Sequence, residues 1–139
     1  MKKAKVAFVC VGNSCRSQMA EGFAREYGDD VLVVYSAGTD PAPEVKPNAV
    51  KVMAEKGIDI SAQYPKLLED IPAELDILIT MGCNVECPHV PCSFREDWGL
   101  DDPAGKSVKV FRETREIIEG KVKDLIEKVK NGEIKIGDN

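Results

Sequence analysis

The apolar positions of the chain fall into short runs and helical stripes that alternate from the first residues to the last. Residues 5–9 form a β-branched and aromatic run that stops at Gly12-Asn13, the pattern of a buried strand ending in a tight turn. From Ser17 the apolar positions Met19, Ala20, Phe23 and Ala24 recur at helical spacing until Gly28-Asp29-Asp30 closes the segment. Residues 31–35 predict a second buried strand. A stretch dense in turn residues, 36–43, leads to a helix over 47–56, begun by Pro47 and stopped by Gly57. A short helix is expected over 65–70, a third strand over 75–81 and a short fourth strand over 94–98. Over 107–130, Val110, Phe111, Ile117, Ile118, Val122, Leu125, Ile126 and Val129 share one face of a long amphipathic helix, with Arg115, Glu119 and Lys123 elsewhere on it. Residues 132–139 are expected to fray.

Strands that alternate with helices imply right-handed crossovers and a parallel sheet covered on both faces, with ligands beyond the carboxyl ends of its strands. The chain, 139 residues without a repeat or a long linker, fits one domain over residues 1–139. No apolar run approaches the ~20 residues that span a bilayer. Met1-Lys2-Lys3 is followed by too short an apolar stretch for a signal peptide, so the cytoplasm is the expected compartment. A net charge of −5 lacks the basic stripe that nucleic-acid binding needs. In a reducing compartment five cysteines predict reactive or metal-binding thiols rather than a disulfide framework. They fall into two groups, Cys10 and Cys15 after the first strand, and Cys83, Cys87 and Cys92 after the third.

Between the first strand and the first helix lies Cys10-Val11-Gly12-Asn13-Ser14-Cys15-Arg16-Ser17. Its small turn residues let backbone N–H groups converge on an anion, helped by the positive end of the helix. Arg16 adds a bidentate fork for a tetrahedral oxyanion. Cys10 sits at the mouth of this cradle, where helix terminus and cation favour thiolate, and the Ser17 hydroxyl is placed to hydrogen-bond the sulfur. Cys15 is expected to be a small packing residue behind the loop, not a second nucleophile.

The run from Cys10 to Gly22 resembles the loop of the low-molecular-weight tyrosine phosphatase superfamily, and in particular that of its thioredoxin-coupled arsenate reductases. Ser36-Ala37-Gly38 and the segment Trp98-Gly99-Leu100-Asp101-Asp102-Pro103-Ala104-Gly105-Lys106 match the same family, so the resemblance covers nearly the whole chain. It implies an α/β fold of three α/β/α layers around a four-stranded parallel sheet; a monomer is expected.

Phosphate and arsenate share charge and shape, so this loop serves a phosphatase and a reductase alike, with sulfate as a further analogue. The resemblance makes Asp102 a general acid. A phosphotyrosine site also needs aromatic walls, yet Ala104-Gly105 stand where phosphatases typically carry tyrosines, and 39–43 holds no aromatic residue. Reduction of As(V) to As(III) takes two electrons and hence a second thiol. In the mechanism the resemblance implies, Cys10 attacks arsenate, Cys83 attacks Cys10 to expel arsenite, and a third thiol resolves the disulfide for thioredoxin or a similar external dithiol. Cys87, which precedes Pro88, is assigned that third role. Its separation from Cys83 is shorter than in the best-known members, and Cys92 is the alternative.

No bound cofactor or metal is expected. Three readings compete with the relay: a phosphatase, a zinc module in which Cys83, Cys87, His89 and Cys92 are ligands, and a non-catalytic redox sensor that uses the fold to bind a partner protein. Some thioredoxin-linked relatives hold potassium with residues matching Asn13, Glu21 and Ser36 together with an aspartate after Ile60-Ser61. Here that segment has no carboxylate before Glu69, so no potassium site is expected and Glu21 is left to pair with a nearby cation or to cap the loop.

Overall fold

The computed structural model describes residues 3–82 and 92–136. In chain order these form β1 (Ala4–Cys10), α1 (Arg16–Gly28), β2 (Leu32–Gly38), α2 (Pro47–Ala54), a 3-10 turn (Leu68–Asp70), β3 (Ile77–Thr80), β4 (Phe94–Asp97) and α3 (Val108–Lys130). The four strands make one parallel sheet in the order β2-β1-β3-β4. This is the expected α/β architecture.

Strand β1 is buried on both faces, which explains why its sequence reads as a continuous apolar run rather than an alternation. Ala4, Val6, Phe8 and Cys10 point into the larger core with α1 and α3, whereas Ala7 and Val9 point into a smaller one with Ala37, Ile71, Leu75 and Leu78. The edge strand β4 carries Arg95, Glu96 and Asp97 exposed to water, charges that discourage edge-to-edge pairing.

Several features differ from the pattern of the sequence. Strand β2 runs on through Gly38, because Ser36, Ala37 and Gly38 pair with Phe8, Val9 and Cys10. The helix expected over 65–70 shrinks to the turn Leu68–Asp70. The Lys66 backbone is committed elsewhere, its N–H to the Asn13 side chain and its carbonyl to Gly38, and Leu67 bridges to the end of β2. On α3, Ile117 faces water at 49% exposure while Arg115 is buried. The Arg115 guanidinium donates to the Val52 carbonyl and to Glu55, so burial leaves no charge unanswered. Beyond α3, Ile134 packs into the larger core and does not fray.

Candidate active site

Strand β1 delivers Cys10 to the carboxyl edge of the sheet, and α1 starts six residues later at Arg16. The intervening loop turns at Asn13, whose φ of 50° is the only positive value at a non-glycine among the described residues. Asparagine tolerates that region better than most side chains. The turn brings the Asn13 N–H to 3.1 Å from Cys10 Sγ. Ser17 Oγ approaches the same sulfur at 2.9 Å, as its place in the first helical turn predicts. Asn13 Nδ2 donates to Ser17 Oγ at 2.7 Å. A sulfur that faces an N–H and a hydroxyl at the start of a helix is in surroundings that favour negative charge.

Arg16 is 2% exposed. Its Nη1 donates to the Met81 carbonyl at 3.1 Å and to the Leu100 carbonyl at 2.8 Å, while Nη2 lies 3.7 Å from Asp102 Oδ2. One guanidinium therefore draws the chain after β3 and the chain after β4 to the oxyanion loop. Asp102 uses both of its oxygens: Oδ1 accepts the Ala104 N–H in a tight turn, and Oδ2 faces Arg16. With its side chain 54% exposed, it can exchange protons with solvent.

Cys15 is buried behind the loop, and burial pushes its thiol up to about 11, so it stays protonated at neutral pH. It is the packing residue the sequence suggests. Gly38 explains the Ser36-Ala37-Gly38 motif: a Cβ there would lie 2.5 Å from the Val11 carbonyl oxygen and 3.1 Å from the Asn13 nitrogen. The next residues wall the loop through backbone bonds alone, Asp40 N–H to Val11 and Ala42 N–H to Gly12, both at 2.9 Å. Pro41, Ala42 and Pro43 offer no aromatic surface.

The chain matches the family model described as low molecular weight phosphotyrosine protein phosphatase over residues 5–134. It is 44% identical to the glutaredoxin arsenate reductase of Synechocystis sp., over 90% of this chain and 98% of that protein. A solved arsenate reductase in the phosphate binding state superposes with a TM-score of 0.85 at 44% identity, covering 93% of this chain and 99% of that one. The Corynebacterium glutamicum thioredoxin-dependent arsenate reductase gives a TM-score of 0.80 at 32% identity, covering 94% of this chain and 64% of that one. This chain belongs to the arsenate reductases of the low-molecular-weight phosphatase family.

In this arsenate reductase Cys83, Cys87 and His89 lie outside the described residues. Cys92 is half-buried and packs against the smaller core, on the sheet face opposite to that of Cys10. Phe94 is level with Ile77 and Val6 across the sheet, so Cys92 lies before, and Cys10 four residues after, that shared level. At about 3.3 Å per residue Cys10 stands roughly 13 Å beyond that level, and Cys92 precedes it. Among the described residues no group of three or more His, Cys, Asp or Glu side chains is arranged to hold a metal, and no helix is long and apolar enough to cross a membrane.

Glu21 is 3% exposed and does pair with cations, Arg25 at 3.0 Å and Lys66 at 3.8 Å, while the Ser36 hydroxyl also donates to it. Sequence reasoning missed Lys66, Gln18 and the Leu100 carbonyl as parts of the site. Gln18 had a usable signal, its place directly after Ser17 in the first turn of α1; the other two act through long-range contacts that no local pattern announces.

Proposed function

We propose that this arsenate reductase works through Cys10, Cys83 and Cys87 in that order. The Cys10 thiolate attacks arsenate held by the N–H groups of residues 11–17 and by Arg16, forming an S–As bond as Asp102 gives a proton to the departing hydroxide. Cys83 then attacks Cys10 Sγ. An S–S bond forms, the S–As bond breaks, its electron pair stays on arsenic, and arsenite leaves. Cys87 attacks Cys83, releasing Cys10 as thiolate, and an external dithiol protein of the thioredoxin or glutaredoxin class reduces the Cys83–Cys87 disulfide. No bound cofactor is needed, and the thiol states suit the cytoplasm.

The observation that carries this reading is the Asn13 N–H and the Ser17 hydroxyl within hydrogen-bond reach of Cys10 Sγ, at the mouth of a loop without aromatic walls. Two further features support the order of the relay. Met81 and Gly82, directly before Cys83, are fixed at the Cys10 end of the sheet by Arg16 and by close contact with Gly99. Cys92 is anchored at the other end of the strands, which disfavours it as a direct partner of Cys10. Slow hydrolysis of small aryl phosphates is expected as a side activity, because Cys10, Arg16 and Asp102 are the parts that reaction requires.

The test is arsenate turnover with thioredoxin and its reductase, and separately with glutaredoxin and glutathione. Cys10→Ser, Cys83→Ser and Cys87→Ser should abolish it, and Cys92→Ser should keep most of it. Mass mapping after one turnover should find Cys83–Cys87; a Cys83–Cys92 bridge overturns the third assignment. One tightly held zinc per active chain overturns the relay itself.

A further inference from the structure

Directly behind the oxyanion loop lies a buried ionic cluster that contributes no atom to the anion site. Glu21 is 3% exposed, and a carboxylate removed from water that far costs several kcal/mol unless it is answered. Arg25 answers Oε2 from the solvent side, its own side chain 55% exposed. On the inner side stands Lys66, 15% exposed, with Nζ 3.8 Å from Glu21 Oε1 and 2.7 Å from the Tyr64 carbonyl oxygen. Burial lowers the proton affinity of Lys66, and Glu21 works against that loss. Arg25 on α1 and Asp70 in the 3-10 turn are the other charges that face it.

The backbone of Lys66 reaches the reactive sulfur in two steps. Its N–H donates to Asn13 Oδ1 at 2.9 Å, and its carbonyl accepts the Gly38 N–H at 2.7 Å. With Oδ1 taken, the Asn13 amide presents Nδ2 to Ser17 Oγ as a donor. Ser17 Oγ receives that hydrogen and keeps its own for Cys10 Sγ, which as a thiolate can only accept. A flipped Asn13 amide would offer a carbonyl to Ser17 and draw its proton away from the sulfur. Gln18 ties the same two segments, donating from Nε2 to both Asn13 O and Tyr64 O.

We propose that Lys66 is a positioning residue for Cys10: its ammonium, seated on buried Glu21, holds residues 63–66 against the oxyanion loop and fixes the Asn13 amide, so that Asn13 and Ser17 both donate to the sulfur. The proposal rests on Cys10 being the nucleophile, but not on arsenate chemistry. Among the described residues the titratable and charged groups around the loop are Arg16, Cys15, Lys46 and Asp102, and the ion pair of Lys66 is with Glu21.

The experiment alkylates the folded, full-length chain with iodoacetamide, follows the Cys10 peptide by mass across pH, and records thermal melting in parallel. Lys66→Met should slow Cys10 alkylation at neutral pH by roughly 3- to 10-fold, the scale of one weakened hydrogen bond to a charged group, and move the pH profile to the alkaline side. Lys66→Arg should restore both. Lys66→Met combined with Glu21→Gln removes the unanswered charge, so it should melt closer to the parent yet alkylate as slowly as Lys66→Met; it also carries the test if the single variant does not fold. A parental alkylation profile in Lys66→Met or in the double variant overturns the proposal and leaves Lys66 a purely structural counter-ion. A chain that shows the shift but no arsenate turnover upholds the proposal while the relay fails.

Discussion

Ser17 Oγ stands 2.9 Å from Cys10 Sγ and accepts the Asn13 Nδ2 hydrogen at 2.7 Å, which leaves its own proton for a Cys10 thiolate, a group that can only accept. A hydrogen bond to a charged acceptor contributes about 1.5–3 kcal/mol, equivalent to roughly 10- to 100-fold in rate if the thiolate is the attacking form. Ser17→Ala is expected to lower kcat/KM for arsenate by that factor. It should also lower the melting temperature, since Asn13 Nδ2 loses its acceptor. Single-turnover arsenite release measures the first effect, and an unchanged rate would remove Ser17 from the chemistry.

Asp102 divides its two oxygens between a turn and the active-site arginine, which lets its roles be separated by one substitution. Asparagine still accepts the Ala104 N–H, but cannot act as a proton donor of the same strength. Asp102→Asn should therefore keep the melting temperature while aryl phosphate hydrolysis falls roughly 100- to 10,000-fold, the usual worth of a general acid. Inhibition by phosphate should change little, because Arg16 retains its bonds to Met81 and Leu100. A variant that hydrolyses at the parental rate would leave Asp102 a turn residue only.

The cradle was readable from the chain because its chemistry is local. Cys10, Asn13, Arg16 and Ser17 are neighbours in sequence, and a strand followed by small turn residues and a helix leaves few ways to arrange them. What the pattern could not convey was held by distant backbone. Lys66 looks like a helical residue until its N–H and carbonyl are claimed by Asn13 and Gly38, and the Leu100 carbonyl has no side-chain signature at all. Arg115 illustrates the same limit on α3: polarity placed it at the surface, and only the folded chain supplies the Val52 carbonyl and Glu55 that let it be buried.

Gly82 occupies φ +86°, and a Cβ on it would lie 2.4 Å from Gly99 Cα, a contact that backbone cannot relieve cheaply. Gly99 also has positive φ, +59°, but a Cβ there would meet nothing within 4 Å. Gly99→Ala should cost about 1 kcal/mol of strain alone, whereas Gly82→Ala should cost several times as much and displace the Met81 carbonyl from Arg16. Denaturant midpoints rank the two, and a phosphate affinity reduced in Gly82→Ala but not in Gly99→Ala checks the link to the site. Equal effects in both variants would contradict it.

Glu55, at the end of α2, is clamped to α3 by Arg112 at 2.7 Å and by Arg115 at 2.7 Å. The Arg112 hydrogen bonds hold its carboxyl near 2 instead of the ordinary 4.5, with desolvation working against them and Arg115 helping. Because the folded value is depressed, the clamp contributes in full above about 4.5, where folded and unfolded chains are both ionised. As pH falls below that, the unfolded chain takes up the proton first, and the contribution fades until it is gone near 2. Glu55→Gln should therefore melt below the parent at neutral pH, with the gap closing between about pH 4.5 and pH 2. The clamp is exposed enough for salt to narrow the neutral-pH gap as well. Melting curves of both proteins across that range decide it: a gap that stays constant with pH means that the pairing of Glu55 with the two arginines does not stabilise the fold through its charge.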